Sequence, residues 1–64
     1  MIIDSKKLEM AMARNCIDKV GLAEKAGIST RSIQRSVLKS GSKPETVGKI
    51  AKALGVDPSE ITKD

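Results

Sequence analysis

A chain of 64 residues holds one domain with a small core, expected here to span residues 1–64 with the core over about 5–62. Its 12 basic and 8 acidic side chains leave a net charge of +4, while the lack of histidine and the single Cys16 exclude an internal disulfide and a zinc site of the usual ligand types. No apolar run approaches the roughly 20 residues of a membrane span, and the opening Met1-Ile2-Ile3-Asp4 is too short for a signal peptide. A soluble protein of the reducing cytoplasm is expected, with no cofactor and no separate domain for a small-molecule effector.

The first helix is expected from Asp4 or Ser5 to Asn15. Leu8, Ala11, Met12 and Asn15 or Cys16 fall at helical spacing, and Asp4 or Ser5 can cap the start. Met10 and Met12 read as flexible filler of the core or its edge. Cys16 reads as a small buried or half-buried residue, since no histidine is present to activate its thiol. Ile17 is placed to plug the core between the first two helices. Asp18 can cap the second helix, which Lys19 and Val20 open. Gly21, in its first turn, either permits a close approach or is simply tolerated.

Leu22, Ala23 and Ala26 form an apolar stripe. Gly27 can adopt the left-handed conformation that ends a helix, and Ser29 can cap the next one. That is the grammar of a helix-turn-helix. In the second of these helices, reaching Leu38 or Lys39, Ile33 and Val37 share the inward face, with Leu38 on its flank. Ser36 stands where a larger apolar side chain is expected, and Thr30, Arg31, Gln34 and Arg35 point away from Ile33. All four can hydrogen-bond to base edges or phosphates.

Ser40-Gly41-Ser42-Lys43-Pro44 is a loop by composition. The fourth helix starts near Pro44 or Glu45, with Ser42 and Glu45 at the spacing of a capping box. Val47, Ile50, Ala51 and Leu54 then make the clearest amphipathic stripe in the chain, which Gly55 ends. Asp57, Pro58 and Glu60 give start signals for a short fifth helix, with Val56 and Ile61 as its hydrophobic staple. No alternating strand of useful length follows from the pattern, so the expected class is all-α with five short helices.

Charge is unevenly placed along these elements. Residues 1–29 carry five basic and four acidic side chains, residues 30–44 carry Arg31, Arg35, Lys39 and Lys43 with no acidic one, and residues 45–64 carry three basic and four acidic. Excess positive charge therefore coincides with the second helix of the motif and the loop after it. A polyanionic partner requires that concentration.

From Leu8 to Ile61 the chain resembles the phage-repressor and Cro type of helix-turn-helix domain, whose members share a compact five-helix core. Leu22-Ala23, Ala26-Gly27-Ile28-Ser29, Ile33, Lys43-Pro44 and Ile50-Ala51-Lys52-Ala53-Leu54-Gly55-Val56 carry the resemblance. Two positions depart from it. Lys19 stands where the family often has a glutamine that touches the phosphate backbone, and Ser36 stands where the family tends to have a bulky apolar residue.

The resemblance implies that the second motif helix enters the major groove of double-stranded DNA, which assigns base edges to Thr30, Arg31, Gln34 and Arg35. Lys19, Ser32, Lys39, Ser42 and Lys43 are then candidates for phosphates. The implied function is a small sequence-specific transcription regulator, a repressor that acts as a homodimer on paired half-sites. The fifth helix, the C-terminal residues and the Met1-Ile2-Ile3 end are the candidate pairing surfaces, although Ile2 and Ile3 can equally fold back on the core.

Two other classes are weighed against it. In one, the basic face of the same helix meets an acidic protein, as in an anti-repressor or assembly factor. An enzyme is the weakest class, because the chain has no histidine and no phosphate-cradling glycine loop. Single-stranded nucleic acid is disfavoured as a ligand by the absence of Phe, Tyr and Trp for stacking.

Overall fold

A computed structural model describes residues 1–38 and 43–63, Leu38 by its backbone only. Among the described residues there are four α-helices: α1 over Ser5–Arg14, α2 over Lys19–Ala26, α3 over Thr30–Leu38 and α4 over Pro44–Leu54. Where a fifth helix is expected, the chain makes a single 3-10 turn, Pro58–Glu60. The start signals there are real, since Asp57 and Glu60 form a reciprocal capping box. Ile61 then leaves helical geometry and Thr62 pairs with Ile3, so the turn has no room to propagate.

The helix starts follow their capping residues. The Asp4 carboxylate accepts from the N–H groups of Lys6 and Lys7 at 3.0 and 3.3 Å, and that of Asp18 accepts from Gly21 N–H at 2.8 Å. Ser29 Oγ accepts from Ser32 N–H at 3.1 Å. Each such cap is worth about 1 kcal/mol. At α4 the residue before Pro44 is Lys43, whose side chain makes no capping bond. Ser42 of the expected capping box lies outside the described residues.

Three helices end by one device. After α2, Gly27 takes φ +75°, so that its own N–H reaches the carbonyl of Glu24 at 3.3 Å and the N–H of Ile28 reaches that of Ala23 at 3.0 Å. After α4, Gly55 at φ +69° does the same, with Val56 N–H on Ala51 O at 3.0 Å. After α1 the left-handed residue is Cys16 at φ 52°, with Ile17 N–H on Met12 O at 3.1 Å. This paired closure satisfies carbonyls that a helix end otherwise leaves open. In every case the next residue, Ile17, Ile28 or Val56, packs partly buried against the core.

Cys16 is thereby exposed, against the sequence expectation of a buried or half-buried thiol. The turn geometry, not side-chain polarity, decides its place. Met10 is likewise corrected: Met12 is buried but Met10 is 68% exposed.

The core is formed by Leu8, Ala11 and Met12 of α1, Leu22 and Ala23 of α2, Ile33 of α3, and Val47, Ile50, Ala51, Ala53 and Leu54 of α4, closed by Ile3 and Ile61. α4 lies at its centre, packing on α2, on α3 and on the 3-10 turn. Asn15 ties α1 to α4, its side-chain amide donating to the carbonyls of Ala11 and Leu54, both at 2.9 Å. The two ends of the chain are fastened together. Asp4 N–H donates to Ile61 O and Lys63 N–H to Ile2 O, each at 2.9 Å, while Lys7 Nζ donates to Thr62 O at 3.1 Å. Ile3 thus folds back on the core and is 2% exposed.

Gly21 has a packing role. A Cβ there would lie 2.9 Å from Ile17 Cγ1 and 3.2 Å from Asp18 Oδ1, so glycine makes room for the isoleucine that follows the left-handed Cys16.

Four outcomes are expected. Cys16→Gly relieves a left-handed non-glycine residue and should raise stability by about 0.5–1 kcal/mol, seen as a higher urea midpoint at unchanged slope. Gly21→Ala should lower the midpoint because Ile17 must move, whereas Gly48→Ala, with nothing within 4 Å of the added Cβ, should raise it by about 0.5–1 kcal/mol. Hydrogen bonds from the Ser59 hydroxyl, and next from its backbone N–H, hold the exposed Asp57 carboxyl below its ordinary 3.8. Its contribution is therefore present above that value and lost as pH falls through the lower folded one. Melting curves of Asp57→Asn should accordingly show a smaller loss of stability in that acid range than the parent.

Candidate nucleic-acid interface

α3 separates two kinds of side chain by face. Ile33 is fully buried, Ser36 is 7% exposed and Val37 is half-buried, while Thr30, Arg31, Gln34 and Arg35 are all exposed. Positions 30, 31, 34 and 35 recur at the helical period, so the four polar side chains share the outer side of the helix.

At Ser36 a bulky residue is not required, because the buried hydroxyl donates to Ser32 O at 2.9 Å, one turn back. A polar group is thereby satisfied inside the core, and among the described residues no buried side-chain polar atom lacks a partner.

Start and orientation of α3 depend on residues 27–29. Gly27 reverses the chain, Ile28 returns to the core and Ser29 caps the helix; Ser29 Oγ–H also donates to Ser32 Oγ at 3.0 Å. The Ser32 hydroxyl is half-buried beside that contact.

Electrostatically the outer face carries only positive charge. α3 contains no acidic residue, and the ion pair found among the described residues, Lys49 with Glu45 at 3.5 Å, lies on α4. Arg31 and Arg35 have no carboxylate partner among the described residues. Lys19 is the first residue of α2 and exposed; Lys43 is exposed at the start of α4. A cation at a helix N-terminus opposes the macrodipole, at a cost of about 0.3–1 kcal/mol. Lys39 and Ser42, also expected to meet phosphates, lie outside the described residues.

Among the described residues no three potential metal ligands cluster, and no helix is long and apolar enough to cross a membrane.

These features define a compact all-helical domain in which two helices joined by a tight turn present a basic outer face. No family model matches the chain, and no curated protein sequence does. Two solved structures of PhpD are similar to it in fold, one of PhpD with cadmium complexed with hydroethylphosphonate and one of native PhpD with cadmium atoms. Each aligns with a TM-score of 0.83 and 28% identity over 100% of this chain and 14% of the PhpD chain. The present chain thus spans 14% of the length of the protein it matches.

Proposed function

We propose that the protein binds double-stranded DNA sequence-specifically through α3 and acts as a small transcription regulator of the phage-repressor and Cro type, a repressor that pairs on two half-sites. One observation carries the proposal: Thr30, Arg31, Gln34 and Arg35 share the exposed, acid-free side of a helix whose opposite side is anchored by Ile33. A guanidinium there can bridge guanine O6 and N7, the Gln34 amide can pair with adenine N6 and N7, and the Thr30 methyl can meet a thymine methyl. Each good bidentate contact discriminates by about 1–3 kcal/mol.

Ser32, Lys19 and Lys43 then hold phosphates and set register without reading sequence, with Lys39 and Ser42 in the same role. The principal dimensions of 25 × 20 × 16 Å let two copies lie on neighbouring half-sites about 34 Å apart without overlap. Pairing on DNA compensates for the small surface that one module can bury.

A second reading has the same basic face docking on an acidic protein surface, as in an anti-repressor or assembly factor, since α3 carries Arg31 and Arg35 and no acidic residue. Salt and sequence dependence separate the two. DNA binding should fall steeply with added salt and prefer one duplex over random sequence.

Selection of bound duplexes from a random pool tests the proposal. Arg31→Ala should relax preference at one base position, whereas Lys43→Ala should weaken all duplexes alike and lower the salt slope by about one unit. Unchanged selection after both replacements, and after Gln34→Ala, would instead assign the face to a protein partner.

A further inference from the structure

A second surface, built on α1, is independent of α3. Between α1 and the segment of the 3-10 turn lies an open groove of about 370 Å³ floored by Met10, Ala11 and Val56. Met10 is 68% exposed there, although Leu8 and Met12 of the same helix are buried. An exposed methionine on a concave apolar floor suits an adaptable contact with another apolar side chain.

The charges beside it are ordered. Lys6, Met10 and Arg14 stand at i, i+4 and i+8, so cation, apolar side chain and cation form one row along about 12 Å of helix. Neither Lys6 nor Arg14 has a carboxylate partner among the described residues. The two carboxylates bordering the groove are turned to backbone N–H groups, Asp4 to those of Lys6 and Lys7 and Glu60 to that of Asp57 at 3.0 Å.

We propose that this row is a docking surface for an acidic amphipathic helix of a partner protein, with an apolar side chain against Met10 and carboxylates one turn to either side reaching Lys6 and Arg14. Charge complementarity selects the occupant. A second copy of this chain docking α1 on α1, parallel or antiparallel, sets cations against cations at both ends of the row and is repelled.

Amide NMR shifts of the full chain, titrated with a synthetic helical peptide carrying leucine one turn from each of two glutamates, test it. The shifts should concentrate on Lys6, Met10, Arg14 and Val56. Met10→Gln, and separately Lys6→Gln with Arg14→Gln, should each weaken binding about tenfold at unchanged melting temperature. Arg31→Ala should leave it alone. Equal binding of the lysine-for-glutamate peptide, or shifts centred on Arg31 and Gln34, would overturn the proposal. So would a duplex that shifts the same α1 amides more strongly than the peptide, or a self-associated form that Met10→Gln dissociates.

Discussion

The left-handed backbone at Gly27 fixes the direction in which α3 leaves α2, and with it everything the outer face can meet. Three residues make the corner, and none duplicates another. Gly27 turns the chain, Ile28 anchors the turn to the core and Ser29 satisfies the new helix start. A side chain at Gly27 would meet no atom within 4 Å, so the demand on that position is purely conformational. Ile33 seats in the core only if the corner holds its angle, and the polar side of α3 follows from that seating.

The same closure at Cys16 and Gly55 gives the fold an economy suited to its size. A small core stabilises weakly by area alone. Each closure adds paired backbone hydrogen bonds and returns an apolar residue to that core, Ile17, Ile28 or Val56. Polar anchors complement them. Asn15 reaches across to the end of α4, so two helix ends share one amide.

Legibility in the sequence varied with how local the cause was. The α4 stripe, the caps at Asp18, Ser29 and Asp57, the left-handed Gly27 and the helix stop at Gly55 each follow from a few neighbouring residues and could be read directly, while the α1 cap narrowed to Asp4 or Ser5. Cys16 could not, because a left-handed cysteine carries no compositional mark and its exposure comes from the turn. The short 3-10 turn in place of a fifth helix reflects a long-range cause, the pairing of Thr62 with Ile3. Ser36 looked like a defect because its hydroxyl has a partner, the carbonyl of Ser32, that residue type alone does not disclose. On the outer face, exposure of Thr30, Arg31, Gln34 and Arg35 followed from the helical period, whereas the place of Lys43 directly before α4, with no capping bond from its own side chain, needed coordinates to be noticed.

Fastening Ile2–Asp4 to Ile61–Lys63 also determines how the unit can be joined to other polypeptide. The entry and exit segments lie side by side, joined by an antiparallel bridge, so a host chain could take in the whole module at a single surface point, as a loop accepts an insertion, without stretching the helices between. Such a graft would tug on the pairing of Ile3 with Thr62 before it reached the corner at Gly27, leaving the orientation of α3 insulated from the added chain.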